Sequence, residues 1–228
     1  MKELSEVVKL FCNECLCQTI HDLLASACQN ENDNDIEGYG VSWENIYEIL
    51  QCRGCGHVTY RSRFWFSEYQ VDDQPETYED KYFPPLFSHP QPKWFDDLKD
   101  DLKQVLDEVY AAFHSELNYL AAVGARTALD MMIVEKIGDV GSFKQKIDTL
   151  EREKYITSQE RSLIESVTEA GNAAAHRGYS PDKKSLESVI EILEAVLYKF
   201  YIGEAKSKKL VEGAQKLKAT VPQRKNPI

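Results

Sequence analysis

Four cysteines fall into two C-x-x-C pairs, Cys12-Asn13-Glu14-Cys15 and Cys52-Arg53-Gly54-Cys55. Two sulfurs at this spacing reach one metal ion from a single tight turn, and two such turns close a tetrahedral shell. The pattern therefore predicts one Zn2+ ion held by Cys12, Cys15, Cys52 and Cys55. Its role should be structural, because four thiolates leave no open coordination position for water or substrate. Gly54 and Gly56 flank Cys55 and supply the backbone freedom a metal-binding turn requires. Cys17, Cys28, His21 and His57 stand at irregular spacings. The expectation is that the two cysteines are small buried apolar residues and that the histidines lie at the surface or behind the ligands. A second zinc site built from these four, Cys17 replacing Cys15 as a ligand, and a redox dithiol are the alternatives.

A second set of polar residues interrupts apolar helical stripes. Arg126 and Asp130 stand four apart on one helix face. Asn172 and His176 do so on another, in the run Gly171-Asn172-Ala173-Ala174-Ala175-His176. Small residues between them allow a neighbouring helix to approach closely. A histidine here can exchange protons near neutral pH. It can equally place its charge at a helix C-terminus, with Gly178 ending the helix.

The elements that must position these groups divide the chain into four parts. Residues 1–66 read as a small β-rich zinc ribbon, its second half carrying the β-forming run Val58-Thr59-Tyr60-Arg61-Ser62-Arg63-Phe64-Trp65-Phe66. A module of this size depends on its metal for stability. The polar stretch from Gln29 to Asp35 lacks periodicity and is expected to be an exposed loop. Residues 67–95 form a connector that contains Asp72-Asp73. Pro75, Pro84, Pro85, Pro90 and Pro92 exclude a continuous helix or central strand. Its aromatic residues, Tyr78, Tyr82, Phe83, Phe87, Trp94 and Phe95, should lie buried along a domain surface.

Residues 96–217 read as an antiparallel helical bundle, and 218–228 as a basic flexible tail. Helices are predicted over about 96–114, 116–136, 142–153, 157–176 and from Ser180-Pro181 onward. Thr157-Ser158-Gln159-Glu160 forms a capping box. Ser180 and Pro181 supply a cap and a first-turn proline. The basic stretch extends the last helix to about Leu217, before Pro222.

The formal net charge is −11. It is about −5 over residues 1–66, about −9 over 67–116, about −2 over 117–203 and about +5 over 204–228. A field of this sign repels phosphate backbones and argues against broad non-specific DNA binding. Local nucleic-acid contact by the tail or a neutral cleft remains open. No apolar run approaches the roughly 20 residues needed to cross a bilayer, so no membrane partner is expected. Lys2, Glu3, Glu6 and Lys9 break the apolar character expected of a signal peptide. The expected compartment is cytoplasmic, where thiols stay reduced.

The Arg126-x-x-x-Asp130 helix, followed by Asn172-x-x-x-His176, resembles the bacterial domain-of-unknown-function family 4145, itself similar to the HEPN superfamily of helical bundles. The resemblance covers about residues 10–66 and 115–203. It implies a mainly α protein: a small N-terminal zinc ribbon followed by a HEPN-like antiparallel bundle that pairs as a homodimer through the bundle. Members occur in bacterial restriction and phage-defence settings. Active HEPN proteins are metal-independent ribonucleases with an Arg-polar-x-x-x-His motif. Asn172 matches the polar position and His176 the histidine, whereas the motif arginine falls on Gly171.

Two functions follow from the resemblance. One is a non-catalytic module that binds protein or nucleic acid in a defence or restriction system. The other is an endoribonuclease of a defence or toxin–antitoxin system, with His176 as acid or base, Asn172 beside it and Arg126 or Arg177 supplying the guanidinium.

Overall fold

The structure is a computed structural model that describes residues 7–34, 40–69, 77–87 and 89–221. Asp35, Asp72, Asp73, Pro75, Pro222, the rest of the basic tail and the first six residues lie outside the described residues. The chain divides into two compact units, Met1–Pro90 and Gln91–Ile228.

The first unit is an antiparallel meander of five strands in the order β1-β2-β3-β4-β5. These are β1 (Val7–Cys12), β2 (Cys17–Asn34), β3 (Gly40–Cys52), β4 (Val58–Phe66) and β5 (Glu79–Phe83). This overturns the expectation of a mainly α protein with only a small β ribbon. The segment from Gln29 to Asn34, read as a loop, continues β2 and pairs with β3 as far as Asn34 opposite Gly40. Gln29, Asn30 and Glu31 are exposed, so no buried face marks this part of the strand in the sequence. The pairing comes from the partner strand, where Trp43 and Tyr47 face Glu31 and Ala27. Strand preference reflects cross-strand packing more than the strand's own composition.

One face of the meander carries a small core of Leu10, Leu23 and Leu50, with Val8, Tyr82 and Leu86 packed against it. A register shift between Leu23 and Ala25 leaves Leu24 exposed and bends β2. Beyond the leucines the same face buries an ion pair, Arg61 Nε to Glu48 Oε2 at 2.5 Å. Burial and the Glu48 carboxylate act in opposite directions on Arg61, and the carboxylate keeps it charged. β5 is an edge strand, which suits its proline-rich surroundings.

The second unit is helical: α1 (Asp100–His114), α2 (Asn118–Ile137), α3 (Phe143–Arg152), α4 (Ser158–Arg177), α5 (Lys183–Tyr198) and α6 (Glu204–Thr220). A short 3-10 turn, Lys93–Asp97, precedes α1, and a π turn, Lys199–Gly203, joins α5 to α6. α2 is the central helix, packed against α1, α3, α4 and α5. Its Ala121, Ala122, Ala125 and Ala128 are fully buried, and such short side chains let neighbours come close. Trp94 and Phe95 pack onto the same core.

The chain ends these helices as their local sequences require. Thr157 and Glu160 form the expected capping box of α4, and Ser142 with Gln145 forms another at α3. Gly178 closes α4 in the left-handed conformation. Ser180 and Pro181 do not start α5. Asp182 does, accepting from the Ser185 N–H at 2.7 Å, while the Pro181 carbonyl accepts from Asn118 Nδ2 at 3.0 Å. Among the described residues, no helix is long and apolar enough to cross a membrane.

Candidate metal centre

Both cysteine pairs sit in hairpin turns at one end of the sheet. Cys12 ends β1, and Cys17, its register partner, begins β2. The intervening turn closes with Leu16 N–H donating to the Cys12 carbonyl at 2.8 Å. Cys52 ends β3, and its turn closes with Gly56 N–H on the Cys52 carbonyl at 2.9 Å. Gly56 has φ 79°, a left-handed conformation that favours glycine. Pairing of β2 with β3 sets the two turns side by side: His21 faces Cys52, and Arg53 N–H donates to the Ile20 carbonyl at 2.9 Å.

The consequence is a cluster of Cys12, Cys15, Cys52 and Cys55 whose sulfurs all lie within 4.8 Å of one another. Cys12 Sγ is 3.5 Å from Cys55 Sγ, and Cys15 Sγ is 3.8 Å from Cys52 Sγ. A tetrahedral ion with metal–sulfur bonds of about 2.3 Å requires sulfurs about 3.8 Å apart. The donors thus fit one metal ion of that kind.

Around them stand groups that stabilise thiolates. The Thr19 hydroxyl lies 3.3 Å from Cys52 Sγ, and Gly54 N–H donates to the same sulfur at 3.3 Å. With these hydrogen bonds the Cys52 thiol is lowered to about 5. Burial raises Cys12, and hydrogen bonding to Cys55 raises Cys15. Four thiols this close cannot all ionise against one another; a divalent cation removes that conflict. Gly54 leaves room for the cluster, since a Cβ there would stand 3.3 Å from Cys15 Sγ, a tight contact.

Three features of this centre were not legible in the cysteine spacing. Thr19 is one. Asn13, inside the first turn, is the second: its Nδ2 donates to the Pro85 carbonyl at 2.9 Å and its Oδ1 accepts from Phe87 N–H at 3.0 Å. It thereby ties the stretch after β5 to the first cysteine turn. Asn13→Ala leaves a carbonyl and an N–H unpaired, and should lower stability by about 1–3 kcal/mol in urea denaturation. Asn13→Asp, which keeps the acceptor but not the donor, should lose less. The third is His21, fully buried, with neither ring nitrogen partnered among the described residues. It was expected at the surface or behind the ligands; it is inside, across from Cys52. Cys17 and Cys28, expected to be buried, are exposed, and Cys28 donates to Glu44 Oε1 at 3.3 Å. None of these joins the four-sulfur cluster.

The second set of residues lies in the helical unit. Gly171 is buried where α4 crosses α2. A Cβ at that position would stand 2.5 Å from Arg126 Cβ and 2.9 Å from the Ala122 carbonyl oxygen. Arg126 therefore packs directly against Gly171, with its guanidinium 5.5 Å from the Phe143 ring and its Nε buried without a partner among the described residues. Asp130 does not pair with Arg126; it accepts from Lys146 Nζ at 2.9 Å. Asn172 is half-buried and His176 exposed, and no hydrogen bond among the described residues reaches either side chain. Arg177 is engaged with Glu169 at 2.6 Å.

The architecture is thus a four-thiol β unit followed by a helical unit packed around an alanine-rich helix. Residues 107–218 match the model of a family described as a domain of unknown function (DUF4145). The match runs from within α1 to near the end of α6 and does not reach the sheet, which narrows the resemblance read from residues 10–66. No curated protein and no solved structure matches the chain.

Proposed function

We propose that this protein is a zinc-stabilised sheet joined to a helical domain that acts by binding rather than by catalysis. The observation that carries the reading is Gly171. The catalytic motif of the HEPN ribonucleases needs an arginine there, and this fold needs a residue without a side chain, because α2 backbone occupies the space. Zinc is the ion of choice for the cysteine cluster, since four thiolates at tetrahedral separations suit a borderline-soft metal without redox chemistry. The resemblance of the helical domain suggests bacterial defence or restriction as the setting, with a protein or a nucleic-acid end as partner.

A second reading, the metal-independent ribonuclease, draws support from one feature: Arg126 is held against the very position that lacks the motif arginine. In that reading its guanidinium would serve the phosphate and His176 the proton transfer. One experiment separates the two. Purified full-length protein is incubated with a mixed RNA pool with and without EDTA, beside His176→Ala and Arg126→Ala. The binding reading expects intact RNA throughout. Cleavage that survives EDTA and disappears in His176→Ala would replace it with the ribonuclease reading.

A further inference from the structure

Cys17 has no place in the four-sulfur cluster, yet it stands directly opposite one of its members. The hairpin between β1 and β2 returns so that Cys12 and Cys17 are register partners. Leu16 takes φ 51° within that turn, a left-handed conformation that residues other than glycine seldom adopt. Facing residues of an antiparallel pair project to the same side of the sheet, with Cα atoms about 4.5–5.5 Å apart. A disulfide spans Cα separations of about 4.4–6.8 Å. The pair can therefore be bridged with the backbone where it is.

The two thiols differ in exposure. Cys12 is buried and Cys17 is exposed. No hydrogen bond among the described residues reaches the Cys17 sulfur. Cys28, the other exposed thiol outside the cluster, is placed differently. It faces Ile46 across the strands and donates to Glu44 Oε1, and that carboxylate raises its pKa. Cys28 has neither an unengaged sulfur nor a cysteine across from it.

We propose that Cys17 is a site of oxidation by hydroperoxides, and that its oxidation empties the metal centre through Cys12. The proposal rests on the zinc reading of the cluster and not on the role of the helical unit. In the first step the Cys17 sulfur takes the terminal oxygen of the peroxide. The O–O bond breaks, an S–O bond forms, and the remaining oxygen leaves with the proton as water or an alcohol. The Cys12 sulfur then attacks the Cys17 sulfur. An S–S bond forms, the S–O bond breaks and hydroxide leaves. One peroxide has been reduced and two cysteines oxidised. Cys12 no longer offers an electron pair to the metal, and the three cysteines that remain close an incomplete shell.

The test uses full-length protein purified with its metal and treated with stoichiometric hydrogen peroxide. Released zinc is followed with a metal-sensitive dye. The disulfide is located after proteolytic cleavage at Glu14, which lies between Cys12 and Cys17, and fragmentation tells Cys17 from Cys15. Wild type should release its zinc and form a Cys12–Cys17 disulfide, and dithiothreitol with added zinc should restore the starting state. Cys17→Ser should carry zinc as wild type does before oxidation, and lose it at least about 10-fold more slowly. Cys28→Ser should behave as wild type. Zinc retained by oxidised wild type, equal release from Cys17→Ser, or a disulfide within the cluster such as Cys12–Cys55 overturns the proposal and leaves the metal centre standing. Cys17→Ser isolated without zinc would make Cys17 a ligand and overturns it as well. A wild type isolated without zinc overturns the metal reading and this proposal together.

Discussion

Replacing Cys52 by serine should strip the sheet unit of its metal and of its order while leaving the helices folded. Cys52 is the cysteine on which the cluster converges: it ends β3, takes hydrogen bonds from the Thr19 hydroxyl and the Gly54 N–H, and faces Cys15 across the cluster. The apolar core behind it consists of Leu10, Leu23 and Leu50 with a few half-buried neighbours, too little to hold a sheet of this extent. In small zinc modules the ion contributes on the order of 10 kcal/mol to folding. Metal analysis should therefore fall from one zinc per chain to none. Fluorescence of Trp43 and Trp65, both on sheet strands, should shift as they become solvated, while the helical circular dichroism signal persists. Chelation of the wild type should reproduce the change, and added zinc should reverse it. Amide exchange showing β2 and β3 as well protected in Cys52→Ser as in wild type would mean that the ion does not hold the sheet.

Substitution of Gly171 should act on the other unit. In Gly171→Ala the new Cβ meets the Ala122 carbonyl, and backbone on a central helix has little room to retreat. Overpacking of this kind costs about 2–3 kcal/mol, which lowers the melting temperature of a unit this size by about 10 °C. Gly171→Arg restores the ribonuclease motif on paper. It should instead force α2 and α4 apart, with a larger loss and no gain of RNA cleavage. An arginine variant that melts like wild type and cuts RNA would defeat both the packing argument and the binding reading.

The cysteine cluster was legible because each half of it is local. Two sulfurs three residues apart share a turn whatever surrounds them, and the glycines beside Cys55 mark that turn. What spacing did not contain was the clip made by Asn13 to Pro85 and Phe87, more than seventy residues away, or the burial of His21 opposite Cys52. The polar half of β2 was misread for the same reason: its strand state is set by β3, not by its own residues. Likewise Ser180-Pro181 carries a good helix-start signal, yet Asp182 takes the cap while Pro181 is engaged by Asn118 from α2.

By itself, then, the sequence determined the two paired-cysteine turns, the amphipathic stripes of α1 and α5, the capping box at Thr157 and the stop at Gly178. Each depends on residues within about one turn of one another, where backbone geometry leaves few options. The tertiary structure alone decided that the N-terminal unit is a five-stranded sheet, that Gly171 lies where α4 crosses α2 with no room for a Cβ, and that α6 buries none of its residues. Those outcomes turn on which distant backbones meet, and hydrogen-bond pairing and steric exclusion between them are properties of the pair, invisible in either strand or helix taken singly.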